Sequence, residues 1–351
     1  MMVSHYTRIS VLILLFSFKV SAQETQNSDQ TAKRIDFANS ITANDLSTLL
    51  YSFAADSMQG RMTATPGQKK AAEFLQNFYV AQGISGGLPG GGFYQNIPQE
   101  YFKSKYVKTN SENVVAIIPG STWPQEYVVL SAHYDHVGAK GDTIYNGADD
   151  DGSGTVALLE MAQAFKQAAD QGMGPKRSIV FLHVTGEEIG LYGSRYYTEN
   201  PIYPLEHTVC NLNTDMIGRI DPNKAGNENY IYLIGSDKLS QELHDLSEQV
   251  NQEFVQMELD YTFNDENDPN RFYYRSDHYN FAKYNVPIIF YFNGVHEDYH
   301  QPTDTPDKIE YPLMAKRTQL IFHTAWEVAN RDQRIYADKL ENSEYEKSDK
   351  R

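Results

Sequence analysis

Hydrophobic and polar positions along this chain follow two periods. From Ile41 to Ser57, and again from Gly67 to Gln82, apolar residues recur at three- and four-residue spacing, which predicts two amphipathic helices. The pattern then tightens into short runs rich in Val, Ile, Leu and aromatics. Asn113 to Ile118, Tyr127 to Ala132, Ser178 to Thr185, Tyr230 to Ile234 and Val286 to Phe292 read as strands. Helical spacing returns from Gly154 to Gln171, Leu239 to Phe254 and Tyr311 to Asn330. Strands alternating with helices predict an α/β fold, with a mixed, mostly parallel sheet covered by helices on both faces. No internal repeat or linker breaks residues 40–331, so one domain is expected there. Polar residues 23–39 read as a flexible lead, and the charged stretch 332–351 as a fraying tail. The glycine-rich run from Ser85 to Gly92 follows no predicted strand, so it reads as a connector and not as a dinucleotide fingerprint.

The amino terminus departs from this pattern. Arg8 precedes an apolar run from Ile9 to Phe18, and Val20-Ser21-Ala22 then forms a small-residue cleavage site before Gln23. Residues 1–22 are therefore expected to be a signal peptide, with export to the periplasm or the exterior. The apolar run is too short for a stable span, so no membrane insertion is expected after cleavage.

Charge and cysteine content narrow the chemistry. Asp and Glu total 46 against 30 Lys and Arg, a formal charge of −16. Such a chain repels nucleic acid and anionic membrane surfaces. The single cysteine, Cys210, excludes an intrachain disulfide and a thiolate-rich zinc site. Any metal must rest on histidine and carboxylate.

Ligand-type residues gather where predicted strands end. One strand runs into His133-Tyr134-Asp135-His136 and another into Gly186-Glu187-Glu188. Open α/β sheets build sites beyond the carboxyl ends of their strands. Asp135, two residues from His133 on an extended segment, is placed to hold the imidazole. Asp149-Asp150-Asp151, bounded by glycines before a helix, concentrates charge that a cation would neutralise. Adjacent carboxylates such as Glu187 and Glu188 suit two jobs, metal binding and proton transfer. Asp215, in Asn-Thr-Asp-Met, and His300, in Asp-Tyr-His-Gln-Pro-Thr-Asp, lie in otherwise ordinary loops.

Taken in chain order, these strings resemble the bacterial two-zinc aminopeptidases of the leucyl aminopeptidase and aminopeptidase Y type. The matching runs are Ser-Ala-His133-Tyr-Asp135-His, Gly-Ala-Asp-Asp150-Asp-Gly-Ser-Gly, Gly-Glu187-Glu188-Ile-Gly-Leu-Tyr-Gly-Ser, Asn-Thr-Asp215-Met, Ser276-Asp277-His278 and Asp-Tyr-His300-Gln-Pro-Thr-Asp-Thr. The resemblance implies a zinc-exopeptidase domain with two Zn²⁺ per chain. Asp150 would bridge the metals, His133 and Asp215 completing one site and Glu188 and His300 the other. It implies Glu187 as general base, Tyr273 as donor to the oxyanion, and a cis Asp150–Asp151 peptide bond. The implied substrates are peptides with a free amino terminus. A carboxypeptidase on a related fold is one alternative; a one-zinc glutaminyl cyclase-like acyltransferase and a noncatalytic binding ectodomain are two others. All five ligand positions and Glu187 are present, which weighs against the last two. The acidic run Asn264 to Asp268 could bind calcium but lacks EF-hand spacing, so it reads as a solvated loop.

Overall fold

A computed structural model describes residues 31–340. The expected signal peptide lies outside the described residues, as does the tail beyond residue 340. In chain order the helices are α1 (residues 31–39), α2 (Ala43–Phe53), α3 (Pro66–Ala81), α4 (Gly154–Asp170), α5 (Tyr192–Glu199), α6 (Gln241–Val250), α7 (His278–Ala282) and α8 (Tyr311–Asn330). The strands are β1 (Ser85–Gly86), β2 (Tyr94–Ile97), β3 (Ser111–Ile118), β4 (Trp123–His133), β5 (Ala139–Lys140), β6 (Thr143–Ile144), β7 (Arg177–Val184), β8 (Thr208–Thr214), β9 (Tyr230–Ile234), β10 (Glu258–Asp260) and β11 (Ile288–Phe292).

One sheet has the order β1-β3-β7-β4-β8-β11-β9-β10, with β2 also paired to β3. Its centre, β7-β4-β8-β11, is parallel throughout. Antiparallel pairs flank it, β3 against β7 on one side and β9 against β11 on the other. β5 and β6 form a separate hairpin. The result is the mixed sheet expected from the pattern.

Side-chain alternation divides the sheet between two cores. Val128, Leu130 and Ala132 of β4, with Ile179 and Phe181 of β7, join a core that includes Leu158, Phe165, Ile321 and Trp326 from α4 and α8. Val129, with Val180, Leu182 and Val184, packs on the other face with Tyr197 of α5 and Phe281 of α7. A central strand buried on both faces reads as a near-continuous apolar run, which is why β4 and β7 were legible. β8 was not. Its Asn211 and Asn213 pair in register with Val129 and Ser131 and are fully buried, so polar residues interrupt its apolar pattern.

The lead and the tail differ from expectation. Residues 31–39 are helical, not flexible. Arg34 donates to Glu327 at 2.8 Å and to the His323 carbonyl at 2.7 Å, and Phe37 stacks on Trp326. These contacts hold α1 against α8. Past α8, Ile335 is buried and the Lys339 amide donates to the Leu239 carbonyl, so the chain stays attached through residue 339. Among the described residues no helix is long and apolar enough to cross a membrane.

Candidate metal centre

All four central parallel strands end at the same edge, and each delivers ligand-type side chains there. β4 ends in His133, β7 leads through Gly186 to Glu187 and Glu188, and β8 leads into Asp215. β11 is followed by the loop that carries His296 and His300. Gly186 makes the turn after β7 with φ 73°, and a Cβ there would press on Tyr192 and Phe102.

Asp150 stands at the middle of the cluster. Its Oδ1 lies 3.2 Å from His133 Nε2, and its Oδ2 lies 3.1 Å from His300 Nε2. On the first side, Asp215 Oδ1 is 3.6 Å from His133 Nε2. On the second, Glu188 Oε2 is 2.9 Å from His300 Nε2. Glu187 Oε2 approaches His133 Nε2 to 4.0 Å. The five expected ligands and the expected base thus meet in one place. The Asp150–Asp151 peptide bond is cis.

Two residues join the cluster without having been expected there. Among the described residues, two groups of ligand atoms lie close enough to share an ion: His133, Asp151 and Asp215, and His136, Asp150 and Glu188. Asp151 is already occupied, because its carboxylate accepts from the backbone N–H groups of His133, Gly154 and Met216. His136 Nδ1 lies 2.7 Å from Glu188 Oε1, beneath the oxygen that faces away from His300. Its place in His-Tyr-Asp-His, three residues after His133, was the available signal.

Asp135 acts differently from the expectation. His133 Nδ1 meets the Asp135 backbone carbonyl at 3.0 Å, whereas the nearest carboxylate oxygen is 3.8 Å away. That carboxylate instead accepts from Thr63 Oγ1 and from the Glu187 amide. One residue therefore sets the His133 tautomer with its carbonyl and fixes the Glu187 backbone with its side chain.

A second layer holds the ligand loops. Ser276 Oγ donates to Asp215 Oδ2 at 2.6 Å and accepts from Asn213 Nδ2 at 2.9 Å. Asn213 in turn accepts from Ser131 Oγ, which accepts from Asn211. The buried polar residues that obscured β8 are thus a hydrogen-bonded ladder under Asp215. Asp304 accepts from the amides of Asp149 and Asp150, and Asp149 accepts from Ser153, Gly218 and His296. Arg61 is fully buried and donates to the carbonyls of Tyr134, Asn146 and Gly147 at 3.0, 2.5 and 2.8 Å. It joins the loop after β4 to the loop that carries Asp150.

Electrostatics separates the carboxylates. Burial pushes Glu187 well above the usual range, and Asp215, Glu188 and Asp277 add to the shift against the opposing pull of His133. Burial also works against ionised Asp150, but hydrogen bonding from His133 and His300 outweighs it and holds Asp150 well below that range. Carboxylates pushed apart in this way suit opposite roles, a proton carrier and a permanent anion.

Tyr273 is not brought to the cluster. Arg271, with φ 55°, starts a one-turn helix over Phe272–Tyr274. That turn sends Phe272 to the cleft and Tyr273 onto Gly235 and His278. The cleft beside Asp150, Glu187 and Asp215 is lined by Met216, Phe272, Phe290, Phe292, Val295 and Tyr299. Tyr299 stacks on His300 with ring centroids 4.0 Å apart. In the acidic run before Tyr273, the Asp268 carboxylate accepts from the amides of Asn270 and Phe272, so it shapes the turn that presents Phe272.

The donor set fits zinc. His133 Nε2, both nitrogens of His136, Asp150 Oδ2 and Glu188 Oε1 are buried, and among the described residues no partner outside the cluster satisfies them. Imidazole and carboxylate atoms that converge only on one another are what a cation with nitrogen and oxygen ligands requires.

Residues 113–325 match the sequence profile described as Peptidase family M28. Aminopeptidase NAALADL1 of Rattus norvegicus is 38% identical over 109 residues, 30% of this chain and 14% of that protein. A probable leucine aminopeptidase of Arthroderma otae is 30% identical over 231 residues, 63% of this chain and 59% of that protein. The chain therefore spans only part of both relatives. The fold is similar to that of BSAP, a zinc aminopeptidase from Bacillus subtilis, with a TM-score of 0.63 at 15% identity, covering 86% of this chain and 97% of that one.

Proposed function

Because the chain belongs to peptidase family M28, we propose that it is a two-zinc aminopeptidase removing the first residue from peptides with a free amino terminus. The observation that carries this reading is the position of Asp150, one oxygen toward His133 and the other toward His300. A carboxylate so placed suits a bridge. His133 and Asp215 would complete one metal site, Glu188 and His300 the other. Two zinc ions held there would act as Lewis acids and lower the pKa of the attacking water.

The chain's own residues supply the rest. Glu187 takes the proton of the water as it attacks the scissile carbonyl and returns it to the leaving amine. Its carboxylate lines the cleft, 4.0 Å from His133 Nε2, and is placed for both steps. Tyr299 is better placed than Tyr273 to donate its hydroxyl to the developing oxyanion, since it lines the cleft with Glu187. Met216, Phe272, Phe290 and Phe292 line the same cleft and offer non-polar contact to the carbon chain of a bound substrate. The amino-terminal sequence supports export, with cleavage before Gln23.

The test uses the purified protein. Zinc analysis is expected to give close to two equivalents, and Glu187→Ala to keep them while losing turnover of aminoacyl amides. N-blocked versions of the same amides are expected to be inert. Near-normal hydrolysis by the Glu187→Ala protein would overturn the assignment of the base. A single zinc with cyclisation of amino-terminal glutamine would favour the acyltransferase.

A further inference from the structure

We propose that Arg275 anchors a substrate carboxylate in this cleft, so that favoured substrates carry a carboxylate close to the scissile bond. The inference rests on the aminopeptidase reading above and adds the substrate class. The carboxylate could be the side chain of an acidic first residue or the carboxyl terminus of a dipeptide.

Arg275 is fixed from both sides. Its amide donates to the Phe272 carbonyl at 3.0 Å, and its guanidinium lies 5.0 Å from the centroid of the Phe272 ring. The next residue, Ser276, donates to Asp215. The side chain therefore belongs to the cleft wall that also holds Asp150, Glu187 and Asp215. It is exposed, and among the described residues it forms no ion pair and no side-chain hydrogen bond.

That freedom is unexpected beside three carboxylates. Other arginines that reach a carboxylate pair with it: Arg219 with Asp298 at 2.9 Å, Arg177 with Glu126 at 2.6 Å and Arg331 with Glu242 at 2.7 Å. In the cleft the acids are engaged with other partners. Asp215 is directed at Ser276 and His133, and Asp150 at His133 and His300. A guanidinium stacked over a ring keeps its edge N–H groups available, and their fork matches a carboxylate. The formal charge of −16 opposes the approach of any anion. A fixed cation in the wall of this cleft offsets that repulsion where a substrate carboxylate would lie.

The experiment compares zinc-loaded wild type with Arg275→Ala and Arg275→Lys on two substrate pairs. Leucyl-glycine against leucyl-glycinamide reads the carboxyl terminus, and glutamyl amide against glutaminyl amide reads the first side chain. Wild type is expected to favour the carboxylate member of one pair by at least about tenfold in kcat/KM, mostly through KM, as for a lost charge-assisted bidentate contact. Arg275→Ala should bring that ratio towards one and Arg275→Lys should restore part of it. The pair that responds identifies the source of the carboxylate. No preference in either pair, or a ratio unchanged in Arg275→Ala, overturns the proposal. Calorimetric binding of the same pairs to zinc-loaded Glu187→Ala protein, with and without Arg275→Ala, keeps the test independent of turnover. Arg275-dependent binding of the acid without hydrolysis by wild type would sink the aminopeptidase reading and leave this role for Arg275 standing.

Discussion

Glu160 lies in α4, on the helix that leaves the acidic loop, and is 3% exposed. Its Oε2 has no hydrogen-bond partner among the described residues. Burial pushes its carboxyl up to about 7, and Asp45 adds to the shift. The folded protein thus prefers protonated Glu160, whereas the unfolded chain releases that proton near the ordinary glutamate value. Stability must fall as pH rises from the unfolded value through the folded one, then level off. Linkage sets the cost of ionised Glu160 at about 3 kcal/mol near pH 8 and about 1 kcal/mol near pH 5. Glu160→Gln removes the charge and keeps the shape, but its amide donors also lack partners, at about 1 kcal/mol. The variant should therefore be more stable than wild type by about 2 kcal/mol near pH 8, roughly 3 °C in Tm for a domain of this size, and no more stable near pH 5. Paired thermal melts at the two pH values, with zinc saturating, give the comparison. An equal Tm difference at both pH values would refute the reasoning, because the effect would then owe nothing to ionisation.

Two further substitutions probe the layer beneath the candidate metal centre. Ser276→Ala removes the donor to Asp215 and leaves Asn213 Nδ2 without its acceptor; zinc affinity should fall roughly 10- to 100-fold by chelator competition, and an unchanged affinity would make the ladder merely structural. Arg61→Met strips the donor from the carbonyls of Tyr134, Asn146 and Gly147; at about 1–3 kcal/mol for each buried group left unpaired, the melt should drop by several degrees and zinc should dissociate faster.

Much of this arrangement was legible from residue order. Strands buried on both faces announced themselves as apolar runs, and α8 was expected over the residues it occupies. His133, Asp150, Glu187, Glu188, Asp215 and His300 could be singled out as a set only through the chain order of the strings that resemble a family, since Asp215 and His300 taken alone look like ordinary loop residues. β8 was hidden because Asn211 and Asn213 serve a polar ladder and not an apolar core. The contacts of Asp135 and the place of Tyr299 in the cleft wall were hidden for another reason. Whether a carbonyl or a carboxylate meets His133, and which tyrosine turns inward, depends on single dihedrals. The left-handed turn at Arg271 decides the second, and nothing in the residue type at that position announces it.

The spread of the candidate ligands over four strand ends and the loop before α4 has a kinetic consequence. His133 and His300 are brought together only after β4, β7, β8 and β11 have aligned in parallel. Parallel pairing across long intervening segments is slow, because chain closure is unfavourable before contacts form. No single hairpin or half of the sheet presents the full set of ligands. A cation held by that set would therefore meet its complete site only on a chain that has already reached its final topology. Its binding energy would fall on the native side of the folding barrier, slowing unfolding and leaving the rate of folding almost untouched.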